Sequence, residues 1–326
     1  MTKKILVIGI GSIGRRHIRN IKFLIPNSTI SLLSKSSNGT YDEEKLVDNI
    51  YRKTSDTLTL SFDAIFICGP ASSHIKISLD FLKKGNNIFI EKPLSDNLAN
   101  CNKFLNYAKF SKNIIQVGYQ FKFHPALIKL RNEIKKRKYG NLVSSKIECS
   151  SYLPKWREGR DYSKTVSASK QSGGGVTLEL SHEIDFANWL FGPFDKVSSI
   201  SKNTKSLKVN VDDISNINLI KKNFICSISL NFHSHISKRY IIVNFQKASV
   251  LIDLLENKYE LYQANNKKFS NIKYNYDQLF IDEIKYFFNC IKNSNNSNIS
   301  LYSSLDTMKI IDKANKSSSL KKVIDI

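Results

Sequence analysis

The chain has 326 residues, enough for two domains at about 100 to 200 residues each and for burial of roughly 75% of its unfolded surface. With 41% hydrophobic and 24% charged residues its composition is that of a globular protein, which excludes disordered, collagen-like and coiled-coil chains. Fifty Lys and Arg against 28 Asp and Glu give a net charge of +22, which raises the question of a polyanionic partner.

In chain order, residues 5–8 form an apolar run that reads as a buried strand, and residues 12–23 a helix opened by glycines. Further strands are expected at 29–33, 64–68, 87–90 and 114–117, with helices at 43–50, 74–83 and 95–109. Strand and helix in alternation predict a parallel sheet of the doubly wound, dinucleotide-binding kind. After a helix over 125–138 the pattern changes to strand following strand, at 143–148, 197–202, 215–220, 225–232, 239–245, 249–253 and 259–262. Such a series, framed by helices, predicts an open and mostly antiparallel sheet. Residues 293–298 read as a polar loop, after which Leu301, Leu305, Met308 and Ile311 fall at helical spacing. The fold class is α/β: an N-terminal Rossmann dinucleotide-binding domain over 1–122 and a C-terminal α/β domain with an open, mostly antiparallel sheet over 123–326.

The basic excess is 41 Lys and only 9 Arg, dispersed along the chain. Lys, Asn and Ile share A/T-rich codons, so codon bias accounts for the charge without a polyanion. The densest run, 135–138, ends a helix, where cations suit the negative end of the dipole, and it reads as a solvated helix end. No recognition-helix motif or aromatic-basic interleaving supports nucleic-acid binding. Cys68, Cys101, Cys149, Cys226 and Cys290 are far apart with no C-x-x-C pair, so neither a disulfide framework nor a zinc site is indicated. No apolar stretch approaches the ~20 residues of a membrane span. Gly9, Gly11 and Gly14 interrupt the apolar stretch that begins at Ile5, and Arg15, Arg16 and Arg19 follow where a signal-peptidase site would lie, so a cytoplasmic location is expected.

Gly9-Ile10-Gly11-Ser12-Ile13-Gly14 directly follows the first strand and opens the first helix. The first glycine permits the tight turn, the second lets the backbone approach a pyrophosphate, and the third lets helix and strand pack closely. An acid about 20 residues further on normally accepts the ribose 2′-hydroxyl. Here positions 33–36 are Leu, Ser, Lys and Ser. Ser34 and Lys35 suit a 2′-phosphate, so the expected cofactor is NAD or NADP, leaning to NADP. The alternative is that Lys35 is one more solvated lysine and that Asp42 or Glu43 supplies the acid.

The strand at 64–68 breaks at Gly69-Pro70 into a helix containing His74, on the carboxyl edge where open α/β sheets bind ligands. Residues 87–94 deliver Glu91-Lys92-Pro93 to the same edge. Together with the glycine motif, and with Gly173-Gly174-Gly175 leading to His182, these residues resemble the glucose-fructose oxidoreductase / inositol dehydrogenase / MocA family over nearly the whole chain. The Glu91-Lys92-Pro93 tripeptide is the most specific element. The resemblance implies a Rossmann domain, an open-sheet domain for substrate binding and oligomer contacts, and NAD(P)-dependent oxidation or reduction of sugars and polyols. Residues 151–162 and 173–185 look like a branch of the family often linked to surface-polysaccharide sugars.

Carried over by that resemblance, Lys92 matches the catalytic lysine and His182 the catalytic histidine. The usual aspartate four residues before the histidine is replaced by Glu179, three before it; on a helix either spacing puts both side chains on one face. Hydride transfer from a secondary alcohol needs a base and a cation within ~3 Å of the hydroxyl oxygen, roles that suit Lys92 and His182. Glu179, as the third catalytic candidate, would orient His182 or bind a substrate hydroxyl, and Arg157, Arg160 and Tyr162 are candidate substrate contacts beside Lys92 and His182. With Lys155, Lys164 and Lys170, the arginines suit a phosphate or carboxylate on the substrate, codon bias being the alternative. The family relation further implies cofactor contacts from Cys68, Gly69, Pro70, His74, Glu91, Lys92 and Gln120. His182-Glu183 is followed by Phe186 where H-E-x-x-H requires a histidine, so no metal is expected. His17 and His124 read as structural, and His233 and His235 as sheet residues that could line the substrate face. The expected partner is a sugar or sugar-nucleotide, with no nucleic acid and no membrane, in a homodimer or homotetramer formed through the C-terminal sheet. Two alternatives stand beside the dehydrogenase reading: an NAD-dependent glycoside hydrolase with transient redox, and a non-catalytic NAD(P) sensor.

Overall fold

The computed structural model describes residues 2–36, 39–264, 266–272, 274–294 and 299–326. Of the polar loop expected at 293–298, residues 295–298 lie outside the described residues. The elements are β1 (Lys4–Ile8), α1 (Ser12–Leu24), β2 (Thr29–Leu33), β3 (Asn49–Tyr51), α2 (Ser55–Leu58), β4 (Ala64–Ile67), α3 (Ala71–Leu82), β5 (Ile88–Glu91), α4 (Leu98–Ala108), β6 (Ile115–Gly118), α5 (Pro125–Lys135) and β7 (Leu142–Tyr152). There follow α6 (Val176–Glu179), α7 (Ser181–Phe191), β8 (Lys196–Lys202), β9 (Ile214–Lys221), β10 (Phe224–Asn231), β11 (His233–Phe245), β12 (Ser249–Asp253), β13 (Lys258–Gln263), β14 (Asn266–Asn271), α8 (Tyr276–Lys292), α9 (Ile299–Leu320) and β15 (Ile324–Asp325).

The chain forms two compact units, Met1–Gln120 with Tyr276–Leu305 and Phe121–Asn275 with Asp306–Ile326. In the first unit six strands run in the order β3-β2-β1-β4-β5-β6, every neighbouring pair parallel. This is the doubly wound order, with its switch point between β1 and β4. Because helices cover both faces of such a sheet, its central strands are largely apolar: β4 and β5 are buried at every position, and Glu91 at the end of β5 is their one polar residue. Phe66 stacks on Phe89 at 4.9 Å, and Phe287 from α8 meets both edge-on at 5.7 and 5.6 Å. Helix α8 buries Leu279, Phe280, Ile284, Phe287 and Cys290, an apolar stripe at helical period that also includes the buried carboxylate of Glu283. It is held to α1 by Arg16, which pairs with Asp277 at 3.0 Å and lies 4.6 Å over the Phe280 ring.

The helix expected at 43–50 does not form. Asp42–Leu46 is a short 3-10 turn, and Asn49–Tyr51 becomes a strand paired with Ser31–Leu33. The edge of β2 captures this segment: Asp48 donates its N–H to Ile30 O at 2.8 Å, and its carboxylate accepts the Ile30 N–H at 2.7 Å. Closing a ladder on a buried strand outweighs the weak helical preference of so short a segment.

In the second unit nine strands run β14-β13-β12-β11-β7-β10-β9-β8-β15, antiparallel except for the parallel pair β7 and β10. Inward residues alternate with outward ones, as in β10, where Phe224, Cys226, Ile228 and Leu230 are buried. Helix α7 packs on β7 and β10, whereas the opposite face carries polar groups such as Lys146, Glu148 and Tyr240. Helix α5 ends at Lys135, short of the expected 138, because Arg137 turns to φ +50° and Lys138 folds back to Glu133 at 3.0 Å.

Candidate functional site

After β1 the chain turns through Gly9 at φ +103°, a left-handed region that favours glycine. A Cβ at Gly14 would lie 2.0 Å from Gly9 O, so this position accepts no side chain. A Cβ at Gly11, in contrast, would meet nothing within 4 Å. The turn thus closes tightly on itself behind Gly14 and leaves open space in front of Gly11, where the N–H groups of Ser12 and Ile13 begin α1. No side chain caps that helix, and its first turn carries no acid. A cradle of bare N–H groups at the N-terminus of a 13-residue helix fits a pyrophosphate.

At the end of β2, Ser34 is buried and its Oγ lies 3.3 Å from both Ser36 Oγ and Ser36 N–H, while Lys35 is exposed. The candidate acids are engaged elsewhere: Glu43 pairs with Arg19 and, at 3.8 Å, with Arg15, and exposed Asp42 pairs with Lys45 at 2.7 Å.

Lys92 follows β5 at the carboxyl edge and is half-buried. The neighbouring Glu91 carboxylate is held by His17 Nε2 at 2.5 Å and accepts the Lys92 N–H at 3.3 Å. A Cβ at Gly118 would come within 3.2 Å of Glu91 Oε1, so glycine there leaves room for the carboxylate. The His74 ring is 1% exposed, with Nδ1 2.9 Å from Pro93 O and Nε2 2.9 Å from Gly69 O. It links the turn after β4 to the turn after β5. Burial holds its pKa below the ordinary histidine value, against the two carbonyls and Glu91, which favour the proton. Burial, assisted by Glu91, pushes the Cys68 thiol well up, so it is inert. Gln120 Nε2 donates to Tyr276 Oη at 3.3 Å.

In the second unit, the glycines before His182 lie in a crowded turn. A Cβ at Gly174 would be 2.3 Å from Val166 O, and one at Gly175, at φ +111°, 2.2 Å from Asp212 Oδ1. Asp212 accepts both the N–H (3.0 Å) and the hydroxyl (2.5 Å) of Thr177, tying down the start of α6. Glu179 and His182 do not share one helix. Glu179 ends α6, Leu180 breaks the path at φ −99°, ψ 29°, and His182 lies in the first turn of α7, so helical spacing does not relate the two side chains.

His182 is 7% exposed and edge-on to the Phe121 ring at 5.1 Å. The Arg239 guanidinium lies 4.2 Å from that ring, and its Nε donates to the fully buried Glu183 at 2.7 Å. Asp185 accepts from Lys122 Nζ at 2.9 Å and from the Thr307 hydroxyl at 3.1 Å; burial raises its pKa against the pull of Lys122. Lys122, Glu183, Asp185 and Arg239 were not marked by the sequence reading, although Asp185, three residues after His182, carried a periodic signal.

Lys155, Arg157, Glu158, Arg160 and Asp161 line an open groove of about 530 Å³ between β7 and α6 in the chain. The Tyr162 hydroxyl accepts the Lys208 N–H at 3.1 Å and lies outside that lining. His233 Nε2 is 3.3 Å from Asp213 and 3.1 Å from the Thr204 hydroxyl, and the His235 ring packs on Tyr152 at 4.0 Å. His124 caps α5 by accepting the Ala126 N–H at 3.1 Å, and burial with nearby Arg239 takes its pKa down to about 4. Among the described residues no group of three or more His, Cys, Asp or Glu could hold a metal, and no helix is long and apolar enough to cross a membrane.

Residues 3–119 match the GFO_IDH_MocA oxidoreductase family, NAD-binding Rossmann fold, and residues 127–251 match the GFO/IDH/MocA C-terminal domain. The chain is similar to the uncharacterized oxidoreductase YrbE of Bacillus subtilis (strain 168), 29% identical over 199 residues that cover 59% of this chain and 55% of YrbE. The chain therefore spans about half the length of that relative. It is also similar to inositol 2-dehydrogenase of Salmonella typhimurium, 21% identical over 253 residues that cover 73% of this chain and 72% of that protein. Among solved structures, levoglucosan dehydrogenase in complex with NADH shares the fold with a TM-score of 0.90 at 15% identity, over 100% of this chain and 99% of that one.

Proposed function

The chain belongs to the GFO/IDH/MocA family of NAD-dependent oxidoreductases, and from that premise we propose that it moves a hydride to or from a secondary alcohol or ketone carbon of a sugar, with NADP preferred over NAD. The observation that carries this reading is the pairing, on one sheet edge, of an open backbone cradle at Gly11 with Lys92 in a turn anchored by His74 and Glu91. Inositol and levoglucosan, named in two similar proteins, are both polyhydroxylated, which supports a substrate of that class.

The cradle and the N-terminus of α1 bind the pyrophosphate, and Ser34 and Lys35 receive the adenosine ribose. Once bound, the nicotinamide supplies the hydride acceptor or donor. Lys92 and His182 hold and move the hydroxyl proton, with Lys92 also stabilising negative charge on the reacting oxygen. Phe121 packs the His182 ring from one side, with Arg239 and Glu183 setting the position of Phe121 and of the first turn of α7. Glu179 contributes a substrate contact. The groove, lined by Lys155, Arg157 and Arg160 together with Glu158 and Asp161, takes an anionic portion of the sugar at its two arginines, whether phosphate, carboxylate or a linked nucleotide. The polar face of the nine-stranded sheet is the surface for self-association.

The test is to incubate the purified protein with each dinucleotide and a panel of free and nucleotide-linked sugars, following the reduced-nicotinamide absorbance. Lys92→Ala and His182→Ala are expected to lose roughly 100-fold or more of turnover while binding the dinucleotide normally. Turnover near wild type in either variant removes that residue from the reaction.

A further inference from the structure

We infer that Arg52, which follows β3, is the residue that selects a phosphorylated adenosine ribose, an inference that rests on the NADP reading of the cofactor site. Parallel pairing aligns Leu33 with Tyr51, so the residues after β2 and β3 leave the sheet side by side at its carboxyl edge. Ser34 donates its N–H to Tyr51 O at 3.0 Å, and Arg52 Nη1 donates to Ser34 O at 2.9 Å. The second bond matters for recognition. A guanidinium carries five N–H donors in a rigid plane, and one bond to the backbone fixes that plane while most donors stay available to a phosphate. Arg52 is exposed, as is Lys35, and the Ser34 and Ser36 hydroxyls, which flank Lys35 in sequence, lie 3.3 Å apart.

The end of the second strand is where this fold brings the 2′ position of the adenosine ribose. A plain ribose would be read there by a carboxylate accepting its hydroxyl. Among the described residues, the carboxylates of this segment already have partners: Asp42 pairs with Lys45, Glu43 with Arg15 and Arg19, Glu44 accepts the Gly39 N–H at 2.8 Å, and Asp48 accepts the Ile30 N–H at 2.7 Å. What this edge presents instead is two cations and two hydroxyls, the donor set of a phosphate dianion. The guanidinium also reaches the position only because Asn49–Tyr51 is a strand, which is why chain order did not reveal it.

Titration of the full-length protein with NADPH and with NADH, by quenching of intrinsic fluorescence, tests this directly, with 2′,5′-ADP and 5′-ADP as competitors that isolate the extra phosphate. Wild type is expected to bind NADPH about ten-fold or more tighter than NADH, and Arg52→Gln to lose about ten-fold for NADPH while NADH stays within about two-fold. Arg52→Lys, which keeps the charge, should recover part of the loss, and thermal melts of both variants should match wild type. If wild type prefers NADPH and Arg52→Gln preserves that preference, Arg52 is not the selector although the NADP reading stands. Equal weakening of both dinucleotides would reduce Arg52 to a staple for Ser34 and overturn the inference. A wild type that binds NADH at least as tightly as NADPH overturns the NADP reading, and the role of Arg52 with it.

Discussion

Replacing Gly11 and Gly14 separately by alanine should divide ligand recognition from folding within one turn. At Gly11 the backbone is φ −62°, ψ 177°, extended geometry open to any residue, and a methyl group would meet nothing within 4 Å. Removing glycine entropy from the unfolded chain favours the variant by about 0.4–1 kcal/mol, and the poorer N-cap offsets a similar amount, so stability should stay within about 1 kcal/mol. The same methyl occupies the space assigned to the pyrophosphate. Displacing the phosphates from two N–H donors, at about 1.5–3 kcal/mol for each charge-assisted bond, predicts a loss of roughly 10²- to 10⁴-fold in dinucleotide affinity. At Gly14 the order reverses, because a Cβ 2.0 Å from Gly9 O must push backbone apart; a loss of about 3 kcal/mol or more in urea unfolding is expected. Fluorescence titration and urea denaturation on both variants check the pair. Gly11→Ala binding either dinucleotide within about three-fold of wild type would refute the assignment of the open space.

His74→Asn retains only one short amide where the imidazole spans Gly69 O and Pro93 O, so it should cost about 1–3 kcal/mol of stability and reduce kcat more than dinucleotide affinity; an affinity loss with unchanged kcat would make His74 a cofactor contact instead. His124 supplies an acid-stability prediction. Its pKa is about 4 in the folded protein against an ordinary 6.5, so the unfolded chain takes up the proton first as pH falls. The effect is absent above about pH 6.5, grows as pH drops toward 4 and levels off below, totalling about 3 kcal/mol at 1.36 kcal/mol per unit. Asparagine at 124 keeps a helix cap but does not titrate, so His124→Asn should flatten that part of the curve. Urea unfolding at a series of pH values that returns parallel curves for wild type and variant would contradict the assignment.

The parts of this protein that could be read from its sequence are those in which neighbours along the chain make the structure. Gly9 to Gly14 is legible because a turn that tight constrains each residue through the next few, and the apolar runs at β1, β4 and β5 are legible because strands buried on both faces are apolar along their length, with Lys4 and Glu91 only at strand ends. The alternation of strand and helix, and then of strand with strand, was enough for a doubly wound unit and an open sheet. Legibility failed where a distant partner chose between local options. The segment after β2 has helical spacing, yet the free edge of β2 makes a strand of it and thereby brings Arg52 to Ser34. Glu179 and His182 have helical spacing too, but the helix is interrupted at Leu180, so α6 carries one and α7 the other.

Side-chain partnerships follow the same division. His17 reads as an ordinary core residue until parallel pairing of the sheet brings Glu91 to its ring across 74 positions, and Arg239 is an ordinary strand residue until β11 lies beside β7 and presents it to Glu183. Sequence by itself determined the kind of fold and where its backbone cradle lies, because steric and hydrophobic rules act within a few residues. Tertiary structure alone decided which charges are committed to partners within the fold. Ion pairs and hydrogen bonds are made between groups that only the closed sheets bring within about 3 Å of one another.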